Sequence, residues 1–231
     1  MSKVLLKAQK QILQVVTSSK SNVYLVGGTA LAIRYKHRYS EDLDFFTQRW
    51  TKALHRTLAK RITTATGFPA RLIAEQRKPG LAGVAFYNFQ ITTKDLLKVD
   101  VIEDLDRLLH PVGLDGVASF DDIYLRKLRA VIGWRGRRSS TGQELSGGRQ
   151  EAKDLFDVWY LSTHHAPLHE WFPAHFSLED YARLTRWLQA MTRQETTFAL
   201  LDVAPGCNTK RIVRHLEEQV YDRLNRVYVP R

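Results

Sequence analysis

The stretch from residue 24 to residue 46, YLVGGTALAIRYKHRYSEDLDFF, constrains the fold more than any other part of the chain. An apolar run over residues 23–26 predicts a buried strand, and the two glycines after it predict a turn into a short helix over residues 29–35. A second apolar strand begins at Asp42. Because successive side chains of a strand point to opposite faces, Asp42 and Asp44 share one face. The pattern predicts a strand, turn, helix and strand that together present two carboxylates.

Two adjacent carboxylates repel each other unless a cation lies between them. Mg²⁺ suits such a pair, since it takes one or two carboxylates and completes its shell with water and substrate phosphates. The turn at Gly27 and Gly28 lets a ligand approach the backbone, and the helix that begins near Thr29 offers unpaired N–H groups to a phosphate. Either motif alone is common in turns, but together they indicate phosphoryl or nucleotidyl transfer.

The same residues, GGTALAIRYKHRYSEDLDFF (27–46), resemble the signature of the AbiEii/AbiGii-type nucleotidyltransferase toxins, a branch of the DNA polymerase beta-like nucleotidyltransferase superfamily. The resemblance implies a glycine turn, an Asp-x-Asp pair and a third carboxylate on a later strand. It also implies a nucleoside triphosphate (NTP) substrate and one or two Mg²⁺ ions, with Asp42 and Asp44 as metal ligands. Thr29 stands where the family often has serine. The residues expected to contact the nucleotide are Gly27, Gly28, Thr29, Arg38 and Ser40.

Three strand-like runs follow, at residues 71–76, 83–92 and 96–103. The last of them, within LLKVDVIED, contains Asp100 among apolar residues, where an unpaired buried carboxylate would be costly. If this strand lies beside the Asp42/Asp44 strand, Asp100 completes a three-carboxylate metal site. The resemblance implies that this third acid activates the attacking hydroxyl. Glu103 and Asp104 are alternatives for the same role.

The composition shifts near residues 111–116, HPVGLDG, and the chain beyond reads as helical. We therefore predict two domains: residues 1–115, a nucleotidyltransferase domain of mixed sheet and helices, and residues 116–231, a helical domain that completes the cleft. The predicted fold class is α+β, with a mixed sheet, flanking helices and a C-terminal helical bundle. Ser119 and Asp122 have the spacing of a capping box at the start of the first C-terminal helix.

Two further motifs of the resembled family lie in the helical part. Lys127 ends an Asp-x5-Lys motif that starts at Asp121, and the resemblance implies that it reaches the triphosphate and offsets charge on the leaving pyrophosphate. Asp154 and Asp157 lie on one stripe of a later helix. By resemblance, Asp154 helps to position the lysine or the nucleotide, and Asp157 supports it. An ion pair between Lys153 and Asp157 is the alternative for that second acid.

Between these helices lies WRGRRSSTGQELSGGRQ, residues 134–150, which is longer than the connection expected in the family. Its arginines are equally compatible with gripping phosphates and with a surface insert. Earlier in the chain, the predicted helix over residues 51–66 has a basic polar side, typical of a solvated face. That side is formed by Lys52, His55, Arg56, Lys60 and Arg61.

The composition fits a globular protein with an acidic polymer as partner. The 231 residues carry a formal net charge of +11, which favours RNA but equally suits an acidic antitoxin. A single cysteine excludes an internal disulfide and a cysteine-based zinc site. Because no apolar run reaches about 18 residues, we expect no membrane span and a cytoplasmic protein.

We therefore expect a magnesium-dependent enzyme that moves a nucleoside monophosphate (NMP) from an NTP to an acceptor hydroxyl. The resemblance implies the toxin of a type IV-like toxin–antitoxin system acting on tRNA or another RNA. Two alternatives remain at this point: a catalytically idle nucleotide- or RNA-binding regulator on the same fold, and nucleotidyl transfer to a small molecule or protein.

Overall fold

The computed structural model describes residues 3–19, 21–78, 81–133, 148–191 and 193–229. The chain forms two compact units, Met1–Ile123 and Tyr124–Arg231. The elements of the first unit are α1 (Lys3–Ser18), β1 (Tyr24–Val26), α2 (Gly27–Tyr35), β2 (Leu43–Thr47), α3 (Lys52–Thr66), β3 (Ala70–Gln76), β4 (Val84–Gln90), β5 (Leu96–Glu103) and the start of α4 (Phe120–Ile132).

The first unit is built on a five-stranded sheet with the order β1-β2-β5-β4-β3. β2 and β5 are parallel, while the other neighbouring strands are antiparallel. The predicted α+β class with a mixed sheet is therefore confirmed. The parallel pair at its centre joins strands that are distant in sequence, and the α3, β3 and β4 elements make the crossover between them.

The two faces of the sheet differ in character. Along β2, Leu43, Phe45 and Thr47 are fully buried, while Asp44 and Phe46 between them are partly exposed. β4 alternates in the same way, with Tyr87 on the buried face. Burying one face and leaving the other partly open is the behaviour expected of a sheet whose strands alternate apolar and polar residues.

Helix α3 packs on the buried face. Its N-cap residue Thr51 accepts a hydrogen bond from the Leu54 N–H at 3.0 Å, and Gly67 ends the helix with φ +76°. The helix predicted over 51–66 is confirmed, but His55 does not belong to its polar side. The His55 ring is fully buried and its Nδ1 lies 2.7 Å from the Tyr87 hydroxyl, so the residue is part of the core.

The glycine motif is organised differently from the prediction. Helix α2 begins at Gly27 rather than at Thr29, so both glycines lie in its first turn, and β1 begins at Tyr24. Strand β2 begins at Leu43, which places Asp42 immediately before the strand. The predicted order of strand, helix and strand is otherwise confirmed.

The second unit is helical. After the end of α4 it contains α5 (Ala152–His164), α6 (Leu168–Trp171), a 3-10 turn (Phe172–Ala174), α7 (Leu178–Ala190), α8 (Arg193–Val203), α9 (Thr209–Glu217), a π-helical segment (Glu218–Leu224) and α10 (Asn225–Tyr228). Ser177 and Asp180 form the capping box of α7. The π-helical segment separates α9 from α10. Within the described ranges, no helix is long and apolar enough to cross a bilayer.

Candidate active site

Gly27 brings the first turn of α2 against strand β2. Val26 is the register partner of Asp44 in the antiparallel β1–β2 pair. Gly27 has φ +77°, and a Cβ atom at this position would overlap the Asp44 carboxylate. Both the positive φ and the close approach require glycine. The glycine therefore fixes how closely the start of α2 lies to the Asp44 side chain.

Gly28 leaves room for the side chains of two other predicted site residues. A Cβ atom at Gly28 would collide with the guanidinium of Arg38 and lie 3.0 Å from the Ser40 hydroxyl. The Arg38 guanidinium also donates to the Tyr39 carbonyl at 2.8 Å. Arg38 and Ser40 thus lie over the first turn of α2, whose leading N–H groups have no acceptor within the helix. A phosphate at this position would meet backbone donors, a cation and a hydroxyl.

Thr29 is buried and takes a structural position. Its hydroxyl donates to the Asp42 carbonyl, which ties the start of α2 to the residue that precedes β2. The side-chain oxygen of Thr29 is therefore committed within the protein. Its backbone N–H, in the first turn of the helix, is the group through which the predicted nucleotide contact would be made.

The sheet register brings two acids together. Asp44 on β2 is the register partner of Asp100 on the parallel strand β5, so their side chains stand side by side on the partly open face. Asp42 lies two residues before Asp44. Glu103 is placed opposite Thr47 and accepts the Gly83 N–H at 2.8 Å. The register therefore favours Asp100 over Glu103 as the partner of Asp44.

Asp104, the other alternative, is also engaged elsewhere. Its carboxylate accepts the hydroxyl of Tyr24 and the backbone N–H of Asp106 at 3.2 Å. Asp104 is buried and bonded to Tyr24 of β1, whereas Asp100 lies beside Asp44.

Asp100 has an unusual environment for a carboxylate. The residue is 4% exposed, and burial, opposed by Lys98 and reinforced by the charges of Asp44 and Asp42, raises its pKa to about 6. Its Oδ2 atom lies 3.0 Å from the Lys98 Nζ. Its Oδ1 atom is buried with no hydrogen-bond partner among the described residues. Such an oxygen is costly to bury, which indicates a ligand position.

Lys98 is a site residue that the sequence analysis missed. Burial would lower the pKa of its ammonium, but the hydrogen bond to Asp100 and the charges of Asp100, Asp42 and Asp44 outweigh burial and raise the pKa. The alternation of strand β5 is the signal that could have identified it, because Lys98 and Asp100 are two residues apart and share a face.

The residues present fit a hard divalent cation. In the described parts of the chain, no three His, Cys, Asp or Glu side chains form a ready metal cluster. Mg²⁺ does not need one, since one or two carboxylates together with substrate phosphates are sufficient. The unpartnered Asp100 oxygen and the neighbouring Asp44 carboxylate offer oxygen ligands of the right chemistry. Lys98, at 3.0 Å from Asp100, is the cation that a metal ion would have to displace or accommodate.

In the second unit, Lys127 lies between two buried acids. Its Nζ is 3.0 Å from Asp154 Oδ1 and 2.6 Å from Asp157 Oδ2, and all three side chains are at most 5% exposed. Arg149 adds two contacts to Asp154, at 2.5 Å from Nε to Oδ2 and at 2.6 Å from Nη2 to Oδ1. Burial alone would raise the pKa of Asp154, but Lys127 and Arg149 outweigh it and the pKa is lowered.

The structure also shows the partners of three charged residues in or beside these two motifs. Lys153 pairs with Glu151 at 2.7 Å, so the alternative ion pair with Asp157 is wrong. Asp121, at the start of the Asp-x5-Lys motif, lies 3.0 Å from the His110 ring. Arg149, which closes over Asp154, was predicted as part of the glycine- and arginine-rich loop and not as a partner of this acid. The rest of that loop, residues 134–147, lies outside the described residues.

Comparisons with known proteins identify the family and the fold of the chain. The family model described as "Nucleotidyl transferase AbiEii toxin, Type IV TA system" matches residues 12–224. The uncharacterized protein aq_aa25 of Aquifex aeolicus (strain VF5) is 54% identical over 43 residues, which make up 18% of this chain and 21% of that protein. The match therefore spans about a fifth of each protein.

The chain is also similar in structure to a crystallised protein from H. pylori that is described as a candidate nucleotidyltransferase. The TM-score is 0.58 with 18% sequence identity, over 98% of this chain and 97% of that one. At this identity the likeness concerns the fold, which agrees with the mixed sheet and helices described above.

Proposed function

The chain belongs to the AbiEii family of nucleotidyltransferase toxins of type IV toxin–antitoxin systems, and from this premise we propose that it transfers an NMP from an NTP to a hydroxyl of an RNA. tRNA is the acceptor that we propose first. The resemblance noted at residues 27–46 is confirmed by the family match over residues 12–224, and the chain is a nucleotidyltransferase.

The observation that carries the proposal is the pairing of Asp44 with Asp100 beside the first turn of α2. It joins an acid pair to a helix N-terminus on the partly open face of one sheet. An acid pair recruits a cation, and a helix N-terminus recruits a phosphate. A triphosphate with a bound metal ion needs both a site for the cation and a site for its phosphates.

In this proposal, different residues of the first unit bind the metal ion and the triphosphate. Asp42 and Asp44, with Asp100, would hold Mg²⁺, which when bound neutralises phosphate charge and polarises the phosphorus that is attacked. The first-turn N–H groups at Gly28 and Thr29, with Arg38 and Ser40 over them, bind the triphosphate. They orient its α-phosphate toward the acceptor.

Asp100 is the proposed base. With a pKa raised to about 6 by burial, it is ionised at neutral pH yet basic enough to accept a proton from the acceptor hydroxyl. Lys98, at 3.0 Å, orients one carboxylate oxygen and leaves the other, Oδ1, available. The hydroxyl proton moves to Asp100 as the oxygen attacks the α-phosphorus and pyrophosphate leaves.

Lys127 is proposed to offset charge on the leaving pyrophosphate. Its ammonium is held by Asp154 and Asp157, so its position is fixed before substrate binds. Asp154, itself held by Arg149, is the residue that positions it. In this arrangement the cation can serve the reaction without the cost of ordering a flexible side chain at each turnover.

The strongly basic balance supports a polyanionic acceptor. With a net charge of +11, contacts to RNA phosphates should supply much of the affinity, so binding should weaken steeply with salt. The same charge suits an acidic antitoxin, which the family membership suggests as a protein partner.

A labelling assay tests the proposal. Each of the four α-³²P NTPs is incubated with the protein, Mg²⁺ and, in separate reactions, total tRNA, cell protein or an aminoglycoside. Label in tRNA that disappears with Asp44→Ala and with EDTA, but persists with the exposed control Asp222→Ala, supports the proposal. Label only in protein or in the aminoglycoside assigns a different acceptor, and no label in any reaction with any NTP indicates an idle regulator.

A further inference from the structure

A row of polar side chains crosses the sheet next to the acids. Lys98 on β5 is the register partner of Asn88 on β4, and Asn88 is the register partner of Arg71 on β3. Register partners point to the same face of a sheet, and Lys98 shares its face with Asp100. Lys98, Asn88 and Arg71, which we name the cross-strand row, therefore lie on the same face as the acid pair.

The row extends from the acids to the edge of the sheet. β3 is the terminal strand in the order β1-β2-β5-β4-β3. With neighbouring strands about 4.8 Å apart, the Cα atoms of Lys98 and Arg71 are separated by about 10 Å. That span corresponds to about three stacked nucleotides at about 3.4 Å each. The row therefore matches a short stretch of a nucleic-acid strand in length.

The side chains of the row are accessible and carry unused donors. Arg71 is exposed, Asn88 is partly exposed, and the Lys98 side chain is 47% exposed. In the portion of the chain that the structure describes, neither the Arg71 guanidinium nor the Asn88 amide has a hydrogen-bond or ion-pair partner. Two cations that flank an amide offer phosphate contacts at both ends. The amide both donates and accepts, as the 2′-hydroxyl of RNA does.

The basic surface of α3 lies on the opposite side of the sheet from the acids. Helix α3 contacts the face opposite the acids, because its His55 meets Tyr87, the neighbour of Asn88 on the other face of β4. The exposed cations of α3, such as Lys60, therefore stand away from Asp100. A strand whose terminal hydroxyl must reach Asp100 would run along the cross-strand row instead.

We propose that the cross-strand row binds the sugar–phosphate backbone of the RNA acceptor just before its terminal hydroxyl. This inference rests on the proposed function and adds where the acceptor lies. Lys98 and Arg71 contact phosphates, Asn88 contacts a ribose 2′-hydroxyl, and the strand enters across the β3 edge toward Asp100.

The test measures binding, separately from chemistry. Fluorescein-labelled total tRNA is titrated with the protein in EDTA, by fluorescence anisotropy, at several salt concentrations. Arg71→Gln should weaken binding about 5- to 10-fold and reduce the slope of log affinity against log salt by about 0.7 to 1, as the loss of one phosphate contact does. Lys60→Gln, which removes an equally exposed cation from α3, should leave the slope unchanged.

A second arm tests the amide. Asn88→Leu should weaken the binding of an oligoribonucleotide several-fold while leaving a 2′-deoxy oligonucleotide of the same sequence unaffected, because only the ribose form offers the hydroxyl. A fluorescent NTP analogue should bind both variants as it binds the wild type. Equal loss of NTP binding would instead point to a general disturbance of the sheet and overturn the assignment.

The possible outcomes separate this inference from the proposed function. If wild-type protein labels tRNA but Arg71→Gln and Lys60→Gln bind it equally, the row is refuted while the function stands. If no RNA is labelled yet Arg71→Gln alone lowers the salt slope, the docking surface stands and the proposed reaction fails. If polyglutamate displaces tRNA and binds Arg71→Gln more weakly than the wild type, the row is a site for an acidic polypeptide. That result would overturn the proposal.

Discussion

Replacing Asp100 with asparagine should stabilise the protein at pH 8. The carboxyl is 4% exposed, its Oδ1 atom has no partner among the described residues, and its pKa is raised from 3.8 to about 6. The folded state therefore binds this proton more tightly than the unfolded state does. Stability is greatest below the unfolded pKa and is lost as the pH rises through about 6.

The size of the effect follows from the shift. A difference of about two pKa units corresponds to roughly 3 kcal/mol at pH 8. Asparagine has the shape of the protonated carboxyl and cannot ionise, so Asp100→Asn should recover roughly 2–3 kcal/mol at pH 8 and less than about 1 kcal/mol at pH 4. For a chain of this length, the melting temperature at pH 8 should rise by about 5–10 °C.

Thermal unfolding followed by circular dichroism, in EDTA at pH 4 and pH 8, measures both values. The control is Asp222→Asn, an exposed acid whose replacement should change the melting temperature by no more than about 1–2 °C at either pH. A lower melting temperature for Asp100→Asn at pH 8, or the same gain at both pH values, would refute the electrostatic account. The variant should also lose tRNA labelling, which would make Asp100 a case of stability sacrificed for function.

Three other substitutions give separate tests. Lys127→Met removes the cation that lies between two buried carboxylates, of which Asp154 keeps Arg149, and should destabilise the protein by about 3–5 kcal/mol, measured by chemical denaturation. Lys98→Met removes a cation 3.0 Å from Asp100 and should tighten Mn²⁺ binding about 2- to 5-fold by calorimetry. Gly27→Ala combines a φ of +77° with a steric overlap and should cost at least about 2 kcal/mol while abolishing NTP binding.

Each of these predictions has a matched control and a contrary result. Lys153→Met breaks an exposed pair with Glu151 and should cost less than about 1 kcal/mol, so an equal loss in both lysine variants would contradict the first prediction. Unchanged or weaker Mn²⁺ binding by Lys98→Met would contradict the second. For the third, Gly67→Ala shares a positive φ but meets no neighbouring atom, and full NTP binding by Gly27→Ala would count against the glycine turn.

Features that depend on interactions between residues close together in the chain could be predicted from the sequence. The alternation around Asp44 and Asp100 predicted the faces of two strands, because side-chain direction in a strand follows position alone, whereas Asp42, predicted to start the strand, lies just before it. The cap at Ser119 was equally predictable, since a capping residue acts within one turn: the Asp122 N–H donates to the Ser119 hydroxyl at 3.0 Å.

Features that depend on contacts between residues far apart in the sequence could not be predicted. His55 follows the helical polar pattern of α3, but its ring is buried against Tyr87. Tyr87 lies on a strand that comes later in the chain, and its hydroxyl forms a hydrogen bond with the His55 ring. Arg149 contacts Asp154, although the composition of the stretch in which Arg149 lies suggested only phosphate binding or a surface insert. The contact of Lys98 with Asp100 follows from the alternation of β5, but the closeness of Lys98 to Asp44 depends on the parallel pairing of β2 with β5, which no local pattern specifies.

The pairing of Asp44 with Asp100 has a consequence for the timing of synthesis. One acid emerges from the ribosome early, and its neighbour follows only after a helix and a hairpin have been made. A prematurely terminated product that stops before Leu96 lacks the second acid, even if its glycine turn folds well. A slip of β5 by one residue would turn that acid toward the core. Under the proposed function, a chain that stops short of β5 or pairs it out of register would lack the base that the reaction requires, so activity would wait for the sheet to be completed.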